Sequence, residues 1–155
     1  MKAKIVHALL AFVLVLAGLT APLFAHGFPA NCAGTYLTQE GAGARDFWTL
    51  EADGTFFGTT STQPLFNFSS QQGTWKKDGN EGAKGILLAF VFDDDKALVN
   101  IARIDISLET VGNGCNHVAG SLEVRLFATD EDPLGPGATS VPPAFTDTFT
   151  GNRVR

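Results

Sequence analysis

From about residue 35 onward, apolar and polar residues alternate one by one, and Gly- and Asp-containing breaks interrupt the alternation at short intervals. Period two is the mark of half-buried β-strands, because successive side chains of an extended chain point to opposite faces. After residue 26 no apolar pattern holds helical spacing for three turns. The clearest strand is 98–111, with Leu98, Ala102, Ile104, Ile106 and Leu108 on one parity and Arg103, Asp105, Ser107 and Glu109 on the other. Residues 118–127 repeat the arrangement, with Val118, Leu122, Val124 and Leu126 inward and Ser121, Glu123 and Arg125 outward. Asn113-Gly114 lies between these two segments, which together predict a long hairpin.

The same reasoning predicts strands at 35–40, 46–52, 55–61, 71–77, 85–92 and 145–154. Asp53-Gly54 predicts a two-residue type I′ turn, which needs positive φ at both positions. Residues 63–68 contain Pro64 and predict a loop. Segment 85–92 is apolar on both parities, Ile86, Leu88, Phe90 and Phe92 on one and Leu87, Ala89 and Val91 on the other, so both faces are expected to meet protein or ligand. Residues 129–144 hold four prolines and no periodicity, and predict a Pro/Gly-rich surface loop.

Seven or eight strands joined mostly by short hairpins, in about 130 residues, predict an all-β fold. An antiparallel up-and-down barrel is favoured because closure removes exposed sheet edges, with a β-sandwich as the alternative.

The N-terminus has a different pattern. Lys2 and Lys4 precede the uncharged stretch 5–21, about 17 residues and shorter than the ~20 that span hydrocarbon, with the small residue Ala25 soon after. This predicts a signal helix within a signal peptide at 1–25, cut after Ala25, and a single barrel domain at 26–155. A cut after Ala21 would leave Pro22 first, which disfavours it. The expected location is secreted or periplasmic, with membrane contact confined to the uncleaved signal peptide. In an oxidising compartment Cys32 and Cys115 are expected to form a disulfide, and neither belongs to a C-x-x-C redox motif. If every strand reverses direction, the start of the first strand and the turn between the sixth and seventh lie at one end of the barrel. The two cysteines occupy those places.

The formal net charge is −5, or about −7 without the two signal lysines. Scattered cations on an acidic domain leave no footprint for nucleic acid. Asp93, Asp94 and Asp95, like Asp130, Glu131 and Asp132, lack the spacing of a Ca²⁺ loop and read as charged turns. His26 and His117 have no zinc signature around them, so no metal or cofactor is expected. Arg103, Asp105, Glu109, Glu123 and Arg125 predict a cross-strand ion-pair ladder on the solvent face.

Gly34-Thr35-Tyr36 at the first strand, 47–55 with its Asp-Gly turn, Gly73-Thr74-Trp75-Lys76 and the hairpin over 98–127 carry a resemblance to small secreted bacterial proteins with a lipocalin-like, calycin-type barrel. The resemblance implies a barrel whose mouth or interior accepts a small apolar molecule, with no catalytic residues carried over. Barrels of the allene oxide cyclase and dirigent type share the pattern. The candidate ligand contacts are Tyr36, Trp48, Trp75, Phe90, Phe92, Ile104 and Leu122. The expected function is therefore the binding of a small hydrophobic ligand by an exported barrel. Three alternatives stand beside it. One is a solid, non-catalytic structural or interaction protein of the cell envelope. Another is a barrel-type isomerase using inward polar groups such as Tyr36, Asn100 and Thr110. The last is an outer-membrane barrel with its apolar faces on lipid.

Overall fold

The computed structural model describes residues 30–155 apart from 80, 81 and 113. The expected signal peptide, signal helix and cleavage site, together with His26 and Asn113, lie outside the described residues. The strands are β1 (Gly34–Glu40), β2 (Arg45–Leu50), β3 (Thr55–Thr60), β4 (Gln71–Asp78), β5 (Gly82–Phe92), β6 (Leu98–Thr110), β7 (His117–Phe127) and β8 (Phe145–Arg153). Each pairs antiparallel with the next, and β8 returns to β1, with registers running from Tyr36↔Arg153 to Glu40↔Phe149. The fold is a closed eight-stranded up-and-down barrel, as the parity pattern predicts, and not a sandwich.

Alternation puts one parity of every strand inside. Tyr36, Trp48, Leu50, Phe56, Leu87, Ile104, Ile106, Leu108, Val118, Leu122 and Phe149 form one buried cluster. The Trp48 ring meets Phe56 edge-on at 5.9 Å and Phe149 at 4.5 Å. Glycines on nearby strands of the same wall make the room, Gly120 being the direct cross-strand partner of Phe149 and Gly85 lying one strand beyond β4 from Phe56. A Cβ on Gly85 would lie 2.6 Å from the Phe56 ring, and one on Gly120 would lie 2.7 Å from Phe149 Cζ and 2.0 Å from the Ser107 carbonyl oxygen. Large side chains laid over glycines of neighbouring strands fill the interior of a small barrel. With apolar side chains inside and Lys84, Asp105 and Glu123 outside, the arrangement is the reverse of a lipid-facing barrel.

The apolar run 85–92 divides between two environments. Its odd positions Leu87 and Ala89 are core, whereas Ile86 and Leu88 are half-buried on the outer face and Phe90 is 52 % exposed there. Two local expectations are corrected. The β2–β3 turn closes through Gly54 N–H to the Glu51 carbonyl at 3.1 Å, and only the Gly of Asp53-Gly54 has positive φ (+91°). It is the three-residue loop with a left-handed glycine, and not type I′. Within 63–68, Gln63–Phe66 forms a single helical turn, α1, with Pro64 in its first turn and Asn67 closing it in the left-handed region at φ 49°.

The two ends of the barrel differ. At one end a 3₁₀ turn, Ala30–Cys32, packs on the core through the fully buried Cys32, which is bonded to Cys115 in the β6–β7 connection with Cα atoms 5.0 Å apart. The Tyr36 hydroxyl donates to the Cys32 carbonyl at 2.7 Å, and Arg153 donates to the Asn31 and Ala33 carbonyls. The opposite end, which no disulfide fastens and which is termed the open end, carries the β1–β2 and β5–β6 turns, α1 and the long β7–β8 connection.

The disulfide closes a loop of 83 residues, for which the chain-entropy treatment gives a stabilisation of about 4–5 kcal/mol. A Cys32→Ser/Cys115→Ser variant is expected to lose a large part of that in urea unfolding. It should keep the barrel's far-ultraviolet circular dichroism, because the core cluster is otherwise intact.

Candidate functional site

The connection between β7 and β8, residues 128–144, is too rich in proline to extend the sheet, so side chains from the barrel must hold it. It forms a strap over the outer face of β6 and β7. Arg103 and Arg125 point outward, yet they are 6 % and 7 % exposed. Arg103 Nη1 donates to the Pro133 carbonyl at 2.9 Å, and Arg125 Nε to the Val141 carbonyl at 2.8 Å. Their charges are answered by Asp105, which accepts from Arg103 Nη2 at 2.7 Å and from Arg125 Nη1 at 2.7 Å, and by Glu123.

The register sets Arg103 opposite Arg125 and Asp105 opposite Glu123, like facing like. Directly opposed like charges repel. The ion pairs therefore run along each strand and diagonally between strands. The expected ladder forms among Arg103, Asp105, Glu123 and Arg125 but not through Glu109, which faces Ala119, and Arg103 and Arg125 are not on the solvent face. The strap covers them because its backbone carbonyls need donors that the sheet does not provide.

Beside the strap lies an open groove of about 540 Å³ over the outer face of β4 to β7. Two cross-strand rows line it. One runs Lys76–Lys84–Ser107–Ser121 and the other Thr74–Ile86–Asp105–Glu123, with Thr139 of the strap at the rim. A second groove of about 460 Å³ continues toward Asp78 and Glu109 and shares Ser107 and Ser121. Volumes of this order hold small ligands. Lys84 pairs with Asp78 at 2.8 Å, whereas Lys76, directly opposite it, is exposed and has no ion-pair partner among the described residues.

The sequence-derived ligand residues do not assemble into one pocket. Tyr36, Trp48, Ile104 and Leu122 belong to the interior cluster, and the Tyr36 hydroxyl is held by Cys32, where burial pushes its pKa up and Arg153 partly offsets this. Trp75 is half-buried against that cluster, its Nε1 donating to the Glu51 carbonyl at 2.8 Å. Phe90 faces outward, and Phe92 is half-buried where β5 ends. Of the inward polar candidates, Asn100 donates to the Phe127 carbonyl at 3.1 Å, and Thr110 sits at the end of β6. His117 Nδ1 lies 2.7 Å from Asn152 Oδ1, and its neighbour Cys115 is in the disulfide. Asp93 and Asp94 accept from Ala97 N–H and the Asn67 amide, as turn residues do. No cluster of three or more His, Cys, Asp or Glu suited to a metal ion occurs among the described residues.

Two sets of residues escape reading from the sequence. The facing lysines 76 and 84 emerge only once β4 and β5 are in register. At the open end, Glu40 and Asp46 point inward from β1 and β2, and Asp46 is 1 % exposed. Burial, followed by the negative charges of Asp46 and Asp147, raises the Glu40 pKa to about 8.

The strap gives a direct test. Arg125→Ala removes one anchor and leaves Asp105 and Glu123 facing each other without it. A loss on the order of 2 kcal/mol is expected in urea unfolding, the carboxylates being partly hydrated, together with faster proteolysis within 129–144. The chain matches no protein-family model, no curated protein and no solved structure.

Proposed function

We propose that the protein is an exported binding barrel that holds a small amphiphile on its outer face, in the groove beside the strap, with the packed barrel as scaffold. The observation that carries this reading is the Lys76–Lys84 pair, two cations directly opposed at the groove of about 540 Å³ while Asp78 answers only one of them. An anionic head group relieves that repulsion. Ser107 and Ser121 supply hydroxyl donors beside it, and Ile86 with the lysine stems receives an apolar body.

The interior offers less support. Trp48, Phe56 and Phe149 occupy the space in which the lipocalin-like resemblance would seat a ligand. Tyr36, Trp48, Ile104 and Leu122 then act as scaffold. Export rests on the signal-like residues 1–25 and on the Cys32–Cys115 disulfide, which is compatible with an extracellular or periplasmic location. A second reading, an interaction protein of the cell envelope, is favoured by Leu65 and Phe66 of α1, which stand 74 % and 66 % exposed at the open end.

Decanoate below its micellar concentration is the probe for the groove. Titration calorimetry is expected to show saturable binding, weakened about tenfold or more by Lys76→Glu and by Ile86→Asp, since one opposed charge or one lost apolar contact is worth roughly 1–2 kcal/mol. Lys76 is exposed, so Lys76→Glu should melt close to the parent, whereas Ile86→Asp sets a second carboxylate opposite Asp105 at a half-buried position and should melt lower, so its binding is read well below its own melting temperature. Binding that these variants leave unchanged would remove the groove from consideration. Native mass spectrometry of protein from its host's exported fraction then identifies the physiological ligand.

A further inference from the structure

Three inward carboxylates meet at the open end, one from each of three neighbouring strands. Thr38 faces Asp46 in the β1–β2 register, and Glu40 N–H bonds to the Ala44 carbonyl at 2.9 Å, so Glu40 is the diagonal inward neighbour of Asp46. On the other side Glu40 faces Phe149, which makes Asp147 the next inward residue of β8. The connecting turn, Gly41-Ala42-Gly43-Ala44, carries no charge. Arg45, beside Asp46 on β2, has outward parity opposite Gln39 and is exposed. The groups facing Glu40 are therefore two acids, with no inward cation from β1, β2 or β8 at this end.

The hydrogen bonds of these acids do not balance if all three are ionised. Asp147 is satisfied by the backbone N–H groups of Ala42 at 2.8 Å and Thr148 at 2.7 Å. Asp46 Oδ2 accepts from the Thr38 hydroxyl at 3.1 Å. Asp46 Oδ1 is buried without a donor. A buried acceptor in that state is costly, and the adjacent Glu40 carboxyl meets the need if it carries a proton.

We propose that Glu40 and Asp46 share one proton across the β1–β2 hairpin, and that this proton latches the open end of the barrel, so that its loss loosens the hairpin and the adjoining β8–β1 seam. Both are tied at that point, Gly41 N–H bonding to the Thr148 carbonyl at 2.9 Å and Ala42 N–H to Asp147. Once Glu40 ionises, three carboxylates crowd one mouth.

The direction of the pH effect follows from linkage. Glu40 binds its proton up to about pH 8 in the folded chain and only to about 4.5 when unfolded. The folded state holds the extra proton in between, so the stability that it confers is complete below about pH 4.5 and is lost as the pH rises through about 8.

Carbon-13 titration of the side-chain carboxyls and thermal melts from pH 5 to 9, on the parent and on Glu40→Gln, test the latch. The Glu40 carboxyl is expected to titrate near pH 8. The parent melting temperature should fall by about 10 °C across the range, while Glu40→Gln, whose amide donates to Asp46 without titrating, lacks that fall. A Glu40 midpoint in the ordinary carboxylate range, or parallel falls in parent and variant, overturns the proposal. The titration of the parent decides the matter alone if the variant does not fold.

Discussion

An eight-stranded barrel closes only where its inward side chains match the volume that closure encloses, and in this chain the match is between aromatic rings and glycines. Phe56 lies over Gly85, Phe149 over Gly120, and Trp48 wedges between the two rings. A larger residue at Gly85 would have to displace the Phe56 ring, and smaller residues at the aromatic positions would leave a void. The β8–β1 seam, on which the barrel's closure depends, is held at the radius this filling sets. Each of the other features is an attachment to that packed cylinder.

With the interior occupied by hydrocarbon, polar chemistry is placed outside and at the ends. On the outer face, Arg103 and Arg125 satisfy strap carbonyls and are neutralised by Asp105 and Glu123, which fixes a proline-rich segment that has no ladder of its own. The strap in turn gives the convex outer face of β4 to β7 a wall, and so a groove. The ends contrast in strength. A covalent bond and the Arg153 contacts fasten one, while the other depends on a Thr, three carboxylates and a proton.

Much of this was legible in the sequence where local parity decides it. The 98–127 hairpin follows from alternation, except at its end, where Leu126 is exposed and Phe127 buried, and the meeting of Cys32 with Cys115 follows from an even cysteine pair in an oxidising compartment together with strand reversal. What was not legible depends on register and on cover by distant segments. Arg103 and Arg125 have the parity of solvent-facing residues, and only the return of the strap buries them. Asp46 looks like the polar start of a strand until closure of the barrel, with β1 and β3 on either side of it, turns it into the interior. The facing of Lys76 and Lys84 requires the β4–β5 register. Ligand candidates chosen for aromatic and apolar character divide between core and surface, because packing a core and lining a pocket call for the same residues.

The central claim is that the barrel is filled and therefore acts from its outside. Xenon enters dry apolar cavities, and methyl NMR under xenon pressure reads its entry directly. The account predicts that the methyls of Leu50, Leu87, Ile104 and Leu122 stay unshifted as the pressure rises. Saturable shifts at those four residues would show an interior with room for a ligand, and would contradict it.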